Sequence, residues 1–252
     1  MRGLKVTILA SGSSGNCIHL QSGDTGILID AGVPKTKIEK RMIEAGINPA
    51  SDIQAIFITH AHGDHIKGLP LANKWRIPVW ASEGEWKNIQ AVDDDLRRVM
   101  DVGFDMHLFG TFWVRAFPTH HDSYNSLGYV VGWENDGWCS ICLDTGKVDA
   151  EMLEAMAGSD VYIIESNHEP NMVEASSYPD SVKARVLSDI GHLSNEQTAA
   201  ALAKLIKGKG ERIYLTHLSN NNNMPALAEG TVRRALRQKG FEAGKHYHLE
   251  VV

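Results

Sequence analysis

The feature that most constrains this chain is the heptapeptide Thr59-His60-Ala61-His62-Gly63-Asp64-His65, which places three histidines and one carboxylate within six residues. The apolar run 53–58 directly before it predicts a buried strand, and the glycine followed by the largely apolar run 66–71 predicts a turn into a helix. A rigid strand fixes the ligands while the loop lets them converge on one point. Because imidazole nitrogen and carboxylate oxygen suit zinc, manganese or iron, the sequence predicts a metal site here.

The spacing of these side chains predicts two metal positions. His60 and His62 can share one ion, while Asp64 and His65 lie one turn further on and can reach a second. A polar turn that merely contains several histidines is the alternative interpretation, and the composition of the loop argues against it. The loop therefore predicts a centre with more than one metal ion.

Length and composition restrict the class of protein. A chain of 252 residues with 43% hydrophobic content buries a large core, and no linker or low-complexity segment divides it, so we predict one domain over residues 1–252. No run approaches the ~18 apolar residues of a membrane span, and the net charge of −6 disfavours non-specific adhesion to nucleic acid. Three cysteines, an odd number, predict a cytoplasmic protein, with Cys139 and Cys142 packing on opposite faces of a strand.

Local patterns predict several further elements. Residues 34–45 and 225–239 have helical periodicity, and Ser82-Glu83-Gly84-Glu85 carries a capping-box pattern that predicts the start of another helix. Glu134-Asn135-Asp136-Gly137 predicts a hairpin turn. The acidic run 93–95 is typical of a solvated surface or a helix start, because successive carboxylates do not all point one way.

The His-x-His-x-Asp-His pattern of residues 60–65 resembles that of the metallo-β-lactamase superfamily. The resemblance implies an α/β (α+β) fold, the four-layered αβ/βα sandwich, with two divalent metal ions at the edge where its two sheets meet. Zn²⁺ or Mn²⁺ is expected, with iron as a further option. It also implies three more ligands, each at the end of a strand: a histidine, a bridging aspartate and a final histidine.

Strand-like runs end directly before a suitable side chain at three places. By its position after Pro118 we choose His121 as the first further ligand, with His120 as the alternative; Asp144 and His217 follow the other two runs. The implied ligands are His60, His62 and His121 for one ion, Asp64, His65 and His217 for the other, and Asp144 between them. Thr-His ends a strand at 59–60 and again at 216–217, which hints at two related halves.

Two features stay open on the residues alone. The Gly/Ser loop Ser11–Asn16 either presents backbone N–H groups to a phosphate or forms a flexible hairpin turn. Asp30, before Ala31-Gly32, either orients a ligand histidine or is an ordinary turn former.

The constellation predicts hydrolytic chemistry. Two ions roughly 3.5–4 Å apart hold a bridging water and lower its pKa from 15.7 toward about 7. Asp64 can accept a proton from that water as well as bind metal. His192 lies before Ser194-Asn195-Glu196-Gln197, which caps the predicted helix 198–207. Because a helix N-terminus favours an anionic substrate, His192 is the candidate for assisting the leaving oxygen, with a mere neighbour of the cap as the alternative.

The C-terminal motifs indicate the branch of the superfamily. Gly191-His192-Leu193-Ser194 with Gln197-Thr198-Ala199-Ala200, followed by His217-Leu218-Ser219, is similar to the nuclease branch that contains tRNase Z. The short segment from His121 to Asp144 leaves no room for the tRNA-binding arm of tRNase Z. The segment from Asp144 to His217 leaves little room for the additional domain of RNase J-like enzymes.

Five motifs in order look like the bacterial YycJ/WalJ proteins. They are Ser11–Asn16, 64–68, Glu165-Ser166-Asn167-His168, Gly191–Asn195 and His217-Leu218-Ser219 with Asn221-Asn222. This resemblance implies 5′→3′ exonuclease activity on double-stranded DNA. It brings forward a set of substrate-binding candidates: Ser13, Ser14, Asn16, His168, Ser194 and Ser219.

We therefore expect a dinuclear-metal phosphodiesterase that acts on DNA as an exonuclease. A small-molecule (cyclic) phosphodiesterase is the first alternative, because the negative charge and the missing arm fit a compact ligand. An acyl or thioester hydrolase of the glyoxalase II kind is the next, and a metal-containing scaffold without activity is the last. DNA is the expected partner and a membrane is not, while a homodimer is left open.

Overall fold

The computed structural model describes residues 3–103, 105–108, 110–133 and 137–252. Its contacts divide the chain into two compact units. Unit 1 comprises Met1–Ala116 and Ser123–Gly137, and unit 2 comprises Phe117–Asp122 and Trp138–Val252. The prediction of one domain over 1–252 stays a prediction.

The first half of the chain is rich in strands. Its strands are β1 Lys5–Ala10, β2 Cys17–Ser22, β3 Thr25–Ile29, β4 Ile53–Phe57, β5 Val79–Ala81, β6 Arg97–Val99, β7 Asp105–Leu108, β8 Phe112–Pro118 and β9 Leu127–Trp133. Its helices are α1 Lys35–Glu44, α2 Gly63–Ile66 and α3 Pro70–Trp75, with single 3₁₀ turns at Glu85–Lys87 and Asp94–Leu96.

The second half alternates strands with helices. Its strands are β10 Gly137–Cys142, β11 Val161–Glu165, β12 Glu211–Thr216 and β13 Tyr247–Val251. Its helices are α4 Ala150–Met156, α5 Pro170–Ala175, α6 Asp180–Val186, α7 Asn195–Leu205 and α8 Pro225–Gln238.

In unit 1, strands β1 to β6 form a sheet in sequence order. The pairs β1–β2 and β2–β3 are antiparallel, whereas β3 to β6 run parallel. Ile29 of β3 pairs with Phe57 of β4, so the residues after these two strands leave the sheet side by side. Apolar side chains of β3, β4, α1 and α3 make one buried core beneath this edge.

In unit 2, strands β10 to β13 are parallel neighbours. Cys142 pairs with Ile164, and Glu165 pairs with Thr216, so the carboxyl ends of β10, β11 and β12 meet at one edge. Strands β10 and β11 are almost wholly buried, as the near-continuous apolar runs of a parallel sheet require. The parallel register brings Glu165, the last residue of β11, together with Asp144 and His217, which lie just beyond β10 and β12.

Most local predictions agree with the structure. The two long predicted helices correspond to α1 and α8, and the acidic run 93–95 is largely exposed, with Arg76 contacting both Asp93 and Asp95. Cys17, Cys139 and Cys142 are buried free thiols. Residues 134–136 of the predicted hairpin turn lie outside the described residues. No helix in the described part of the chain combines the length and apolar character that a membrane span needs.

The predicted helix after Ser82 is wrong, since only the single 3₁₀ turn Glu85–Lys87 forms. In a capping box the glutamate side chain would return to the backbone N–H of Ser82. Instead, the buried Glu85 carboxylate accepts hydrogen bonds from the backbone N–H groups of Ala61 and Asn125, both at 2.8 Å. A long-range contact has replaced the local one.

Candidate metal centre

In unit 1, the loop after β4 is held by Asp30, which follows β3. Asp30 Oδ1 accepts from the backbone N–H of Thr59 at 2.8 Å, and Oδ2 accepts from the Thr59 hydroxyl at 2.8 Å. The same Oδ2 lies 2.7 Å from His65 Nδ1, and both side chains are fully buried. Burial raises the pKa of Asp30, and the contacts with His65 and Thr59 oppose that shift. Of its two possible roles, Asp30 therefore takes that of orienting a histidine.

The histidines of this loop converge. His60 Nε2 and His62 Nδ1 are 3.0 Å apart, and the rings of His60 and His65 are 4.1 Å apart between centroids. Asp64 Oδ2 lies 3.7 Å from His65 Nε2. Within unit 1, His60 thus lies beside His62 and Asp64 beside His65, while the assignment of each pair to one metal ion stays a prediction.

The Gly/Ser loop packs directly against this segment. The backbone N–H of Asn16 donates to the Asp64 carbonyl at 2.8 Å, and the side-chain amide of Asn16 lies 3.2 Å from His65 Nε2. Gly32 allows this approach, because a Cβ on that residue would stand 1.6 Å from the Asp64 carbonyl oxygen. The loop therefore supports the metal-ligand segment through its backbone.

In unit 2, a second cluster stands at the carboxyl ends of the parallel strands. Asp144, Glu165, His192 and His217 each offer one ligand atom, and these atoms all lie within 4.8 Å of one another. His217 Nδ1 is 2.7 Å from Asp144 Oδ1. Among them, the buried Asp144 and His217 offer the carboxylate and imidazole donors of zinc, manganese or iron sites. The residues present therefore fit a divalent metal ion.

Glu165 organises this cluster. Its Oε1 accepts from the backbone N–H groups of Thr145 at 2.8 Å and Leu193 at 3.1 Å. Its Oε2 lies 3.1 Å from His192 Nδ1 and 3.2 Å from His217 Nδ1. One carboxylate thus fixes two loops and two imidazole rings.

The electrostatics of Glu165 and His192 agree with each other. Burial acts to raise the pKa of Glu165, but the charge and hydrogen bond of His192, with the hydrogen bond of His217, lower it to about 2. Burial acts to lower the pKa of His192, but the charge and hydrogen bond of Glu165 together with the charge of Asp144 outweigh it, so that pKa is raised. The pair therefore favours an ionised Glu165 beside a protonated His192.

His121 rather than His120 faces the cluster. His121 is buried, its Nε2 lies 3.7 Å from Asp144 Oδ2, and its Nδ1 lies 3.0 Å from the Gly191 carbonyl. His120 is half-buried and its Nε2 contacts Asp149 Oδ2 at 2.6 Å. The choice of His121 by position thus has a geometric basis, because the Asp149 contact occupies His120.

Three of the strand-end residues adopt positive φ angles. Asp30, Asp144 and His217 have φ values of 60°, 45° and 54°. Left-handed backbone is uncommon outside glycine, although Asp and His tolerate it better than most residues, and it is often found at functional sites. The sharp turn that it produces ends each strand where its polar side chain joins a cluster.

The predicted substrate-binding residues fall into two groups. Ser13 and Ser14 are exposed on the loop before β2. The others are at least partly buried and take part in hydrogen bonds: Asn16 with Gly12 and His65, His168 through its carbonyl with Asn195, Ser194 with Gln197, and Ser219 with Asn222. A substrate role for all six stays a prediction.

Sequence reasoning missed two residues, Glu85 and Glu165. Both are buried carboxylates that accept backbone N–H groups of the ligand-bearing loops. Glu165 had a detectable signal, because it ends an apolar strand run as the predicted ligands do. Glu85 had none, because its partners are distant in sequence.

Comparisons with known proteins agree on the family. Residues 25–218 match the Beta-lactamase superfamily domain. Exodeoxyribonuclease YycJ of Bacillus anthracis is 36% identical over 252 residues, which cover 98% of this chain and 94% of the relative. Exodeoxyribonuclease WalJ of Streptococcus pneumoniae serotype 2 is 35% identical over 254 residues, with coverages of 98% and 93%.

A solved structure agrees on the fold. The metallo-beta-lactamase fold protein YhfI from Bacillus subtilis matches with a TM-score of 0.75 over 99% of this chain and 96% of its own, at 15% identity. The mixed α/β architecture with two sheets, implied by the resemblance to the metallo-β-lactamase superfamily, is thereby confirmed. The chain belongs to the metallo-β-lactamase superfamily, as a hydrolase of the YycJ/WalJ type.

Proposed function

We propose that this chain is a metal-dependent nuclease that degrades double-stranded DNA as a 5′→3′ exonuclease. The two relatives named exodeoxyribonuclease, alike over nearly the whole chain, support a DNA substrate. The observation that carries the reaction type is the His192 imidazole, whose Nδ1 lies 3.1 Å from the Glu165 carboxylate. A phosphodiester releases an alkoxide, which needs a proton, whereas a thioester releases a thiolate that leaves without one.

The proposal assigns seven residues to two divalent ions. They are His60, His62, His121, Asp64, His65, His217 and Asp144. When bound, such a pair supplies a hydroxide at neutral pH and neutralises charge on the phosphate. The contacts within each unit support the assignment, since His60 approaches His62 and Asp144 approaches His217.

The remaining steps belong to side chains. Asp64 accepts the proton of the attacking water through its carboxylate. His192 donates a proton from its ring to the leaving 3′ or 5′ oxygen. Glu165 holds His192 in its charged form and in a fixed orientation, so it acts as a positioning residue.

Two substrates with different leaving groups test this assignment. The metal-loaded protein and its Asp64→Ala and His192→Ala variants are incubated with 5′- or 3′-labelled duplex DNA and with bis-p-nitrophenyl phosphate. We expect Asp64→Ala to lose both activities. His192→Ala should lose duplex degradation by about 10²- to 10⁴-fold but keep most hydrolysis of the small diester, because p-nitrophenolate leaves without a proton.

The exposed His248 offers a matched control, since His248→Ala removes an imidazole from β13 and should change neither activity. Early release of the 5′ label would support the proposed polarity. Cleavage of the small diester without the duplex would instead assign the site to a small-molecule phosphodiester. Equal loss of both substrates in His192→Ala would contradict the role of His192 as proton donor.

A further inference from the structure

An open groove lies beside Asp64 within unit 1. Its volume is about 1050 Å³, and three short segments contribute its polar side chains. Ser13 and Ser14 come from the Gly/Ser loop, Lys67 from the residue after α2, and Asn88 and Gln90 from the segment after the 3₁₀ turn. Apart from Asp64, all of these polar side chains are exposed.

These side chains are available for a ligand. Within the described residues, the side chains of Ser13, Ser14, Lys67, Asn88 and Gln90 have no hydrogen bond or ion pair. Two hydroxyls, two amides and one ammonium group therefore face the groove or its rim without an internal partner. Such a set favours a polar ligand that supplies several acceptors.

The backbone beneath these side chains is fixed. Asn16, which ends the Gly/Ser loop, donates to the Asp64 carbonyl at 2.8 Å. Between Asn88 and Gln90, Ile89 is 1% exposed and packs in the core of unit 1. The groove walls are thus positioned relative to Asp64 before any ligand binds, which limits the entropy cost of binding.

The charge of the groove suits an anion. Among the residues that line it, Lys67 is the one cation and Asp64 the one acid. Because the proposed function assigns Asp64 to a metal ion, Lys67 is left to contact a negatively charged ligand. None of the lining residues is aromatic, so the groove offers no surface on which bases could stack.

We propose that this groove binds the sugar–phosphate backbone of the DNA strand adjacent to the scissile phosphate. The inference rests on the proposed function and specifies how that substrate is held. Lys67 and the Ser13 and Ser14 hydroxyls contact phosphate oxygens, and the Asn88 and Gln90 amides contact phosphate or sugar oxygens. Contacts of this kind position the strand without reading its sequence.

The shape of the groove separates a polynucleotide from a compact ligand. Small-molecule sites bury 70–90% of their ligand within about 300–1,000 Å³. This groove is at the upper limit of that range, and its polar rim is exposed rather than enclosed. An open groove of this volume suits a long ligand that passes through it better than a compact ligand that must be enclosed.

Binding, measured separately from cleavage, tests the proposal. The metal-loaded protein is titrated into a fluorescein-labelled duplex with phosphorothioate ends, and anisotropy gives Kd at several salt concentrations. We expect Lys67→Met to raise Kd by about three- to tenfold. It should also reduce the slope of log Kd against log salt concentration by about one, as the loss of one phosphate contact requires. Lys67→Arg should restore this slope. The double variant Asn88→Ala/Gln90→Ala should raise Kd but leave the slope unchanged.

Lys37→Met is the matched control, because Lys37 is an exposed lysine of α1 that does not line the groove. The proposal is overturned if Lys67→Met keeps the melting temperature of the wild type and loses no more affinity for the duplex than Lys37→Met does. Lys67-dependent binding of the protected duplex, without degradation of the same duplex lacking phosphorothioates, would support the groove and contradict the nuclease. Absence of duplex binding would contradict both.

Discussion

Three buried carboxylates, Asp30, Glu85 and Glu165, hold the loops that carry the proposed ligands. A buried carboxylate is costly unless hydrogen bonds replace its hydration, and each of these accepts backbone N–H groups. The backbone donors are Thr59 for Asp30, Ala61 and Asn125 for Glu85, and Thr145 and Leu193 for Glu165. The loops are thereby shaped by the protein itself, which lets the ligands converge on an ion.

His19 of β2 is buried in a different way. It is 0% exposed, and neither ring nitrogen has a hydrogen-bond partner among the described residues. Burial, followed by the charge of Lys5, lowers its pKa to about 4. It is therefore neutral in the folded protein at neutral pH.

This depressed pKa predicts an acid-dependent loss of stability. The pKa of a histidine in an unfolded chain is about 6.5. Between pH 6.5 and pH 4, His19 is therefore protonated in the unfolded chain but neutral in the folded protein. As the pH falls from 6.5 toward 4, the free energy of unfolding therefore decreases by at most about 3 kcal/mol because of His19. Urea unfolding of the wild type and of His19→Leu at pH 7 and pH 4.5 measures the difference.

The wild type should lose more stability between these two pH values than His19→Leu, which has no group to titrate at this position. Carboxylates contribute to acid denaturation in both proteins and therefore cancel in the comparison. Equal losses in the two proteins would show that His19 does not titrate as its burial implies.

At the level of elements, parallel strands explain why ligands distant in sequence come together. In unit 2 the register of β11 and β12 pairs Glu165 with Thr216, which places His217 directly beyond that pair. The sequence allowed His60, Asp144 and His217 to be predicted, because each follows an apolar strand run. Glu165 also ends an apolar strand run, but its role was missed because the predicted ligand set was complete without it.

Helix α7 begins with a complete capping box. The Ser194 hydroxyl accepts from the Gln197 backbone N–H at 3.2 Å, and the Gln197 side chain accepts from the Ser194 backbone N–H at 2.8 Å. The same pattern at Ser82 failed because Glu85 has a distant partner. A short motif therefore predicts a helix start only where no tertiary contact competes for its side chains.

The cap predicts a structural effect of Ser194. Ser194→Ala removes the acceptor for the Gln197 N–H and should lower the free energy of unfolding by about 1 kcal/mol, while Ser194→Asp should retain most of it. Ser181, exposed in α6, gives the control, because Ser181→Ala should stay within about 0.5 kcal/mol of the wild type. Unfolding in urea measures these values, and an unchanged Ser194→Ala would contradict the capping role.

At the scale of the whole molecule, a Thr-His pair stands at the end of a strand in each compact unit. Thr59-His60 lies just after β4 in unit 1, and Thr216-His217 lies at the end of β12 in unit 2. The repeated pair was visible in the sequence, whereas the interruption of unit 2 by residues 123–137 was not. Local patterns record which residues end a strand, but the division into units depends on contacts far apart in the chain.

The net charge of −6 restricts how the whole molecule can bind DNA. A negatively charged chain does not attract DNA as a whole, so binding must come from local positive charge. The proposed metal ions and Lys67 are sources of such charge. DNA affinity is accordingly expected to depend on metal loading as well as on salt.

We propose that duplex degradation depends on two metal ions held by this chain. Its most direct test removes metal with a chelator and measures release of a 5′ label from duplex DNA as Mn²⁺ is returned in measured equivalents per chain. We predict no activity without metal and a rise that levels off at about two equivalents. Degradation by the metal-free protein, or a plateau at one equivalent, would rule out a reaction that needs two bound metal ions.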